Sequence, residues 1–473
     1  MKATKLILSC LTLSLVLAGG ASCNVTKNQS EFELPPDSSN GVKPNGKKSG
    51  GTPPSQPGKG ESKGGFGGSS NSSNIDYSGA EEITSSQNQT GMSYSSSTVD
   101  QSALLISTGD SVSISNPSVT KSGSSSGGDS CSFYGLNAAV LVKGGSSTTI
   151  TGGSISSDAS GANAVFCYGG NGGKNGGSGN GTRVIIRDTT ITTSGSGSGG
   201  IMTTGGGITE AYNLKITTSG GSSAPIRTDR GGGSVTVDGG TYTSNGLGSP
   251  VIYSTADIKV SNSELISNLS EGVCIEGKNS ITLNDCNLTA NNTKRNGKAQ
   301  FLDSVMIYQS MSGDADSGTS TFTMNGGVLT SKSGHIFHVT NTNAVINLNA
   351  VKLVNLGSDV LLSVCDDGWS GAGNTATLNA EGQVMMGRIL VGSNSIFTMN
   401  LTGGSSFIGS IGGKITNDAG KTVSDSVGKV SVNLEEGSRW TLTEDTYITS
   451  FTGDASGIDF NGHNLYVNGK NME

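Results

Sequence analysis

Five charged residues near the middle of the chain have the types that a polysaccharide lyase needs. Arg227, Asp229 and Arg230 stand in the run APIRTDRGGG, and Glu276 and Lys278 follow in CIEGKNS. In a calcium-dependent lyase the metal acidifies the proton next to a uronate carboxyl group, and a base removes that proton. Here the acids are few and alternate with bases, so an ion-pair network on the surface is the simpler interpretation.

A second group of candidate residues combines carboxylates with aromatic rings in two loop-like insertions. A tryptophan near carboxylates suits stacking on a sugar ring, and the run GDADSG has the oxygen spacing of a weak calcium loop. Neither insertion carries a full calcium ligand set, so solvated loop acids beside a tryptophan that covers the core are the competing interpretation. The candidate ligand-binding residues are Tyr308, Asp314, Asp316, Asp366, Asp367 and Trp369.

Histidine and cysteine offer little further chemistry. His335 and His338 lie on a predicted strand, where alternation should send them to opposite faces, so a shared metal is not expected. The five cysteines after residue 23 include no CxxC pair, which argues against a disulfide framework. Cys167 and Cys274 fall within predicted strands, and we expect both to be small core residues.

The elements that must position these residues show a repeat. Short apolar runs recur along the chain, mostly at steps of 22 to 25 residues, and this period is typical of a solenoid. The first residues of these runs form one column. Its members are Leu104, Val140, Val165, Ile201, Ile226, Val251, Val273, Val305, Ile336, Val360 and Ile389.

A second column consists of apolar pairs five residues apart, with turn-forming residues between the two members. The runs RVIIRD, GSVTVDG and NSITLND lead into these pairs and alternate with period two, which indicates strands. The sequence therefore predicts an all-β fold, a single-stranded right-handed parallel β-helix of about eleven or more rungs. The pairs are Ile114/Val119, Ile150/Ile155, Ile186/Ile191, Ala211/Ile216, Val237/Tyr242, Val260/Leu265, Leu283/Leu288, Met324/Leu329 and Leu348/Leu353.

A third column contains asparagine. One asparagine follows the last apolar residue of the second strand in five consecutive repeats, and stacked asparagine amides can hydrogen bond along a solenoid axis. Chance turn preference would scatter these residues, so we predict one structural ladder. Its members are Asn284, Asn325, Asn349, Asn379 and Asn400.

Insertions leave the repeat at two corners. Residues 168–182, 309–319 and 365–375 follow the first strand of their repeats, whereas residues 120–136 and 292–303 follow the last strand. Insertions gathered on one side of a solenoid usually mark its working face. The two insertions that carry acids and aromatic rings should lie about two rungs apart, roughly 10 Å.

The amino-terminal part divides into a signal and a tether. Residues 1–22 have the charged start and apolar run of a secretory signal, and Cys23 after small residues resembles a bacterial lipobox. Gly20 stands where the lipobox usually has leucine, so cleavage near Ala21 without lipidation is the alternative. Residues 23–75 are rich in Ser, Gly, Pro and Lys, which predicts a disordered tether.

The remaining chain, residues 76–470, should form the β-helix, with a carboxy-terminal cap of bulkier residues from about residue 427. The whole chain has a formal charge of −7, and its basic stretch contains almost no aromatic residues, so we expect no nucleic-acid partner. We also expect a monomer that touches a membrane only through the lipid at Cys23.

Residues from about 100 to 470 resemble bacterial surface proteins of the right-handed parallel β-helix class, which are described as adhesin-like or pectate-lyase-like. The runs that carry this resemblance are FYGLNAAVLV, VCIEGKNSITLNDCNLT, STFTMNGGVLTS, FHVTNTNAVINLN and NLEEGSRWTLTEDTYITS. The resemblance implies a fold and no catalytic residue, because β-helices host lyases, hydrolases and non-catalytic binders alike.

Three functions remain open on these observations. The first is a lipid-anchored protein at the cell surface that binds a polysaccharide or a host surface without catalysis. The alternatives are a polysaccharide lyase that uses calcium and a structural surface stalk without a ligand. The alternative to anchoring at the cell surface is secretion without the lipid anchor. We expect no cofactor apart from a possible calcium ion.

Overall fold

Nearly every regular element pairs in parallel with the strand one coil before it. The computed structural model describes residues 75–172, 177–295, 298–310, 312–371 and 373–472. These residues form the all-β parallel β-helix that the sequence predicts. The predicted signal, the tether and Cys23 lie outside the described residues, apart from residue 75 of the tether. None of the described helices is long and apolar enough for a membrane crossing.

The first strand of each coil belongs to a thirteen-stranded parallel sheet, called sheet 1 here. Sheet 1 presents one face to the core and the other to the insertions described below. Its strands are Ser78–Ile83, Gln101–Ser107, Val140–Lys143, Val165–Tyr168, Ile201–Thr204, Ile226–Thr228, Ile252–Ser254, Val273–Glu276, Asp303–Tyr308, His335–Thr340, Val360–Val364, Arg388–Val391 and Ile411–Gly412.

The second and third strands of the coils together form a 22-stranded parallel sheet, called sheet 2. Two strands of twelve residues run through the corner without a break, and they join both layers into one sheet. The strands are Gln87–Thr90, Ser93–Ser96, Ser111–Ser115, Ser118–Lys121, Ser147–Thr151, Ser154–Ser157, Arg183–Arg187, Thr190–Thr193, Gly207–Thr218, Gly233–Ser244, Asp257–Ser261, Glu264–Ser267, Ser280–Asn284, Asn287–Ala290, Thr319–Asn325, Val328–Ser331, Asn343–Asn349, Lys352–Asn355, Asn374–Glu381, Ser395–Thr402, Lys429–Leu434 and Ser450–Gly453.

Three smaller sheets and two short helices complete the described structure. Sheet 3 is parallel and contains Val384–Met386, Ser406–Ile408, Arg439–Thr441 and Ile458–Asp459. An antiparallel hairpin contains Lys414–Thr416 and Thr422–Asp425, and a closing sheet contains Thr446–Ile448, Leu465–Val467 and Lys470–Asn471. The α-helix is Asp129–Tyr134, and the 3-10 helix is Ala455–Gly457.

The paired apolar columns of sheet 2 confirm the repeat. Ile150 pairs with Ile114 and Ile186, and Ile191 pairs with Ile155 and Ile216, as the spacing predicts. These side chains are buried in one continuous core. β-Branched residues suit such columns because their stiff side chains pack well on a pleated surface.

The first column is correct in most coils and wrong in three. Ile226 pairs with Ile252, not Val251; Val305 pairs with Phe337, not Ile336; and Ile389 pairs with Leu362, not Val360. In each of the three coils, the predicted residue and the residue that actually pairs are both buried. The strands of sheet 1 are apolar on both faces in these coils, so alternation could not indicate which residue faces the core.

A left-handed residue forms the short turn between the second and third strands. Asn116, Asp188, Asn213, Asn262 and Asp285 have φ values between 50° and 53°. Asparagine and aspartate tolerate this conformation better than other residues with a side chain, because their short polar groups bond locally. The turn residues also bond between coils, and the Asn213 amide donates to Asp188 at 2.7 Å.

The asparagine ladder is real, but the predicted single column is wrong. Asn325 pairs with Asn284 and Asn349, whereas Asn349 pairs with Glu381 in the next coil. Asn379 instead pairs with Asn347, which the prediction omitted. The first ladder therefore ends at Asn349. The second ladder begins at Asn347, two residues earlier on the same strand. A shift of two residues keeps the same face of a strand, which is why the sequence concealed it.

The second ladder is the better bonded of the two. The Asn379 amide donates to Asn347 at 2.8 Å, and its oxygen accepts from Asn400 at 2.7 Å. The Asn400 oxygen in turn accepts from Asn433 at 2.5 Å. In the described part of the chain, no side-chain hydrogen bond joins Asn349 to another asparagine.

Asn379→Ala is expected to lower the free energy of unfolding by about 1–2 kcal/mol, because it removes two hydrogen bonds from the ladder. Asn349→Ala is the matched control, and its effect should stay within about 0.5 kcal/mol because this side chain is exposed and outside the second ladder. Urea unfolding of both variants, followed by circular dichroism, measures the difference. Equal losses would show that the two residues share one ladder after all.

The predicted cap continues the parallel pairing of sheets 2 and 3. Lys429–Leu434 pairs in parallel with Ser395–Thr402, and Trp440 pairs with Phe407. Sheet 1 ends earlier, at Ile411–Gly412, where the closing sheet lies beside it through the Ile411 amide and the Thr446 hydroxyl at 3.4 Å. The bulky residues of this end therefore close the core of the last coils.

Candidate functional site

The outward face of sheet 1 carries an unusual set of side chains. In consecutive strands Arg227, Tyr253, Cys274, Met306 and His338 stand in one register column. They point away from the aliphatic core, because the residues on either side of them in each strand face inward. Two insertions cover the ends of this column and leave its middle open.

The first insertion covers the amino-terminal end of the column and is called lid 1, residues 122–139. Phe133 and Tyr134 of its helix pack with Phe166 and Met202 of sheet 1 in a separate buried cluster. The Thr204 hydroxyl fixes lid 1 to the sheet by donating to the Phe133 carbonyl at 2.7 Å.

The second insertion covers the other end and is called lid 2, residues 291–302, of which 296 and 297 are outside the described residues. Phe301 is buried, and its ring centroid lies 5.3 Å from that of His335 and 5.0 Å from that of His338. The Gln300 side chain accepts a hydrogen bond from the Asn417 amide at 2.7 Å, which ties lid 2 to the antiparallel hairpin.

A pocket of about 340 Å³ lies between the two lids. Its floor is the middle of the outward column, Tyr253, Cys274 and Met306, and its walls include Tyr308 and Trp369. The rings of Tyr308 and Trp369 touch, with centroids 5.0 Å apart and planes tilted by 53°. The pocket volume is within the range of small-ligand sites, and the lining combines aromatic rings with a few polar groups.

Glu276 organises the polar side of the pocket. Its Oε2 accepts from the Tyr253 hydroxyl at 2.5 Å and from the Tyr308 hydroxyl at 3.2 Å. Its Oε1 accepts from the hydroxyls of Ser310 and Ser312, the latter at 3.4 Å. Glu276 is only 2% exposed, so the two tyrosines and the 309–319 insertion are held around one buried carboxylate.

An ion pair lies beside the pocket at the lid 1 side. Arg227 donates to Asp229 at 2.7 Å and to the Ser222 carbonyl at 3.1 Å. Burial raises the pKa of Asp229 to about 6, although the Arg227 guanidinium acts in the opposite direction. The Arg227 guanidinium also lies 5.6 Å from the Tyr253 ring centroid.

The other predicted bases are paired in the same way. Arg230 donates to Asp314 from two of its nitrogens, at 3.1 and 2.5 Å, and lies over the Phe133 ring. Lys278 lies 2.7 Å from Asp316. These contacts agree with the ion-pair interpretation of the charged runs.

Two histidines, His335 and His338, join a chain of hydrogen bonds under lid 2. His338 lies 3.0 Å from Asp367 through Nε2 and 2.7 Å from the Ser363 hydroxyl through Nδ1. His335 reaches the same hydroxyl at 2.8 Å, so the expectation of opposite faces is wrong. The strand begins at His335, where the pleat no longer fixes the direction of the side chain. Burial, with His338 as a second cause, lowers the pKa of His335 to about 3.

The hydrogen bonds from Ser363 through His338 to Asp367 resemble those of a hydrolytic triad. All three side chains are, however, inaccessible to solvent. Ser363 and His338 are 0% exposed, and so is the Asp367 side chain. Asp367 also accepts from the Gln300 backbone amide at 2.7 Å. The network therefore holds lid 2 on sheet 1.

The structure brings the two predicted groups of residues into one pocket. Arg227 and Glu276 of the first group line it together with Tyr308, Asp314 and Trp369 of the second. Asp316 pairs with Lys278 outside the pocket, Asp367 lies under lid 2, and Asp366 is exposed and accepts from the Asn374 amide at 2.6 Å.

Several pocket residues were missed by the sequence analysis. Tyr253, Met306, Ser310 and Ser312 gave no signal, because each stands alone in an apolar or Ser-rich run. An outward-facing tyrosine within a sheet 1 strand could have indicated Tyr253, had the register been known. Cys274 was expected in the core, but it lines the pocket as a nearly buried free thiol. Burial raises the pKa of this thiol well above its usual range. Cys167 does lie in the core, as expected.

The acidic, histidine and cysteine side chains are the groups that could hold a metal ion. Within the described ranges, no cluster of three or more His, Cys, Asp or Glu side chains has the arrangement of a metal site. Asp314 and Asp316, of the predicted calcium loop, each pair with a base instead.

Comparison of the chain with protein-family models, with curated proteins and with solved structures gives no match.

Proposed function

We propose that this chain is a non-catalytic glycan-binding protein of the cell surface, similar in role to an adhesin. The β-helix presents the pocket between lid 1 and lid 2 to a polysaccharide or to a glycan on a host surface. The predicted signal and lipid anchor at Cys23, followed by a flexible tether, would hold it outside the cell.

The single observation that carries this proposal is the pair of touching rings, Tyr308 and Trp369, beside the Glu276 hydroxyl network. Sugar rings have apolar faces that stack on aromatic side chains and hydroxyl edges that need hydrogen-bonding partners. The pocket supplies both surfaces within one cavity of about 340 Å³. Its polar groups are held by one another, so little ordering is needed when a ligand binds.

The lyase alternative has weaker support. A lyase needs a base that is free to take a proton and positive charge that is free to hold a uronate carboxyl. Arg227, Arg230 and Lys278 are each tied to an aspartate, and their ion pairs explain their presence without catalysis. No observed contact favours the structural stalk, for which a lined pocket is unnecessary.

Trp369→Ala is expected to weaken glycan binding by about tenfold or more, because it removes the larger ring of the stacking surface. Tyr447→Ala is the matched control, since Tyr447 is an exposed aromatic residue that stacks on Tyr466 in the closing sheet. Binding to a panel of polysaccharides, with and without calcium, measures the effect, and absorbance of unsaturated uronates detects lyase activity.

Retention on a polysaccharide that is lost in Trp369→Ala and kept in Tyr447→Ala would support the proposal. New absorbance that depends on calcium would replace it with the lyase. Absence of binding to every glycan in the panel would favour the stalk.

A further inference from the structure

The pocket contains a buried carboxylate whose partners are all neutral. All four hydrogen-bonding partners of Glu276 are neutral hydroxyl groups. Because an ionised carboxylate only accepts, the Tyr253, Tyr308 and Ser310 hydroxyls donate to Glu276. The Ser312 hydroxyl lies closer to the Ser310 hydroxyl, at 2.7 Å, than to Glu276, at 3.4 Å. This arrangement holds a carboxylate in the wall of the pocket without a cation beside it.

The neighbouring bases do not neutralise this carboxylate. Arg227 pairs with Asp229 at 2.7 Å, and Arg230 pairs with Asp314 at 2.5 Å. Glu271 also lines the pocket, and its carboxyl group accepts a hydrogen bond from the Ser270 hydroxyl. Burial raises the pKa of Glu271. A raised pKa favours the neutral form of Glu271. In the described part of the site, the charge left without a basic partner is that of Glu276.

The hydroxyls around Glu276 also determine the hydrogen bonds that a ligand can make. Burial and the Glu276 carboxylate raise the pKa values of Tyr253 and Tyr308 far above the usual range, so both phenols keep their protons. Those protons point to Glu276, and the oxygens offer lone pairs to anything else. The two tyrosine oxygens therefore accept hydrogen bonds from a ligand. The Ser310 and Ser312 oxygens already accept from the backbone amides of Ser312 and Asp314.

The pocket also presents the faces of aromatic rings to a ligand. The rings of Tyr253, Tyr308 and Trp369 line the same cavity. Such faces carry negative potential and attract cations within about 6 Å of the ring centroid. The Arg227 guanidinium takes one such position over Tyr253, which shows that the site tolerates a cation there.

From these contacts we infer that the pocket binds an organic ammonium group carried by a sugar, an amino sugar that is not acetylated. This inference rests on the proposed glycan-binding function and specifies its ligand class. The ammonium lies against the aromatic rings beside Glu276 and donates to the tyrosine oxygens. A uronate carboxylate meets lone pairs and a like charge, and an N-acetylated sugar lacks the positive charge.

The test compares ligands that differ only at the amine. Oligomers of glucosamine, N-acetylglucosamine and galacturonate, together with choline, are titrated into the full chain by calorimetry. Fluorescence gives a second reading, since Trp369 in the pocket is one of only two tryptophans. We expect the glucosamine oligomer to bind at least about tenfold more tightly than its N-acetylated counterpart. Its binding should weaken as a rising pH removes the ammonium proton.

Two variants test the role of the charge. Glu276→Gln should remove the preference for the glucosamine oligomer, because it replaces the carboxylate with a neutral group of the same shape. Glu264→Gln removes one charge from a strand of sheet 2 away from the pocket, and it should keep the preference. The comparison of ligands on the unaltered chain does not depend on the folding of either variant.

The outcomes separate the two proposals. Equal or tighter binding of the N-acetylated oligomer, still lost in Trp369→Ala, would overturn the ammonium inference and leave the glycan pocket intact. Tighter binding of galacturonate would overturn the inference as well. Choline bound in place of every sugar would overturn both the amino-sugar assignment and the proposed glycan function. Absence of any binding would overturn both proposals together.

Discussion

Trp440→Ala is expected to be the most destabilising single substitution in the carboxy-terminal coils. Trp440 is 0% exposed, and its ring stacks on Phe407 with centroids 6.1 Å apart. Removal of a buried aromatic ring of this size costs about 3–5 kcal/mol. The indole nitrogen also donates to the Gly409 carbonyl at 3.0 Å, and the loss of this partner adds about 1 kcal/mol or more.

The expected consequence extends beyond stability. Met385, Phe407, Trp440 and Ile458 form the inward column of sheet 3, so a cavity at Trp440 loosens the last coils as a group. A loosened end exposes unpaired strand edges, which promote association between chains. Trp440→Ala should therefore also form aggregates on mild heating.

The control for this substitution is Tyr447→Ala in the closing sheet. Tyr447 is 48% exposed, and it stacks on Tyr466 with centroids 4.7 Å apart, so its removal should cost about 1 kcal/mol. Urea unfolding followed by circular dichroism, and amide exchange in residues 429–472, provide the measurements. If both variants lose the same stability, the buried ring does not hold this end of the β-helix.

Gly220→Ala is expected to have the second largest effect, although it adds a single methyl group. A Cβ atom at this position would stand 1.9 Å from the carbonyl oxygen of Gly195 in the coil before it. The obstacle is backbone, so no rotamer change relieves the contact, and the coil must shift. Overpacking of this kind costs up to about 3 kcal/mol and occasionally more.

The corner around Gly220 explains why the space is so small. The Ser223 hydroxyl donates to the Gly195 carbonyl at 3.1 Å and accepts from the Ser198 amide at 2.9 Å. The next coil repeats the arrangement, with Ser249 donating to the Gly220 carbonyl at 2.9 Å. A shift at Gly220 therefore breaks hydrogen bonds in two coils.

The adjacent glycine is the matched control. The nearest atom to a Cβ at Gly221 is the Leu247 carbonyl oxygen at 3.6 Å, an ordinary van der Waals distance. Gly221→Ala should therefore change the free energy of unfolding by less than about 1 kcal/mol in either direction. A large loss of stability in both variants would mean that chain flexibility, and not the close approach of Gly220 to Gly195, decides the outcome.

The pocket shows how far sequence reasoning can go for a solenoid. The residues Arg227, Glu276, Tyr308, Asp314 and Trp369 were selected for their chemistry, and all five line one cavity. They were assigned to two separate sites because the sequence gave no measure of how far the 309–319 and 365–375 insertions bend over sheet 1. The contact between Tyr308 and Trp369 spans two coils through that bend.

The register errors have a related cause. In sheet 2 most outward residues are polar, so alternation selected the correct inward residues, such as Ile150 and Ile186. In sheet 1 the lids cover parts of the outward face, and in the three misassigned coils buried apolar residues stand on both faces of the strand. Nothing in the sequence then distinguishes Ile336 from Phe337, and the choice depends on the packing of neighbouring coils.

The sequence by itself determined the architecture, because a repeat of apolar columns and turn residues allows each coil to bury its core only against the next coil. It also determined which residue types are available for binding. The tertiary structure alone decided which side of sheet 1 is covered and which part stays open between lid 1 and lid 2. It also decided that the nearby bases are paired with aspartates while Glu276 is surrounded by hydroxyls. The Arg230–Asp314 pair and the hydrogen bond from Tyr253 to Glu276 join residues from different coils and insertions, and their distances depend on loop paths that no local pattern encodes.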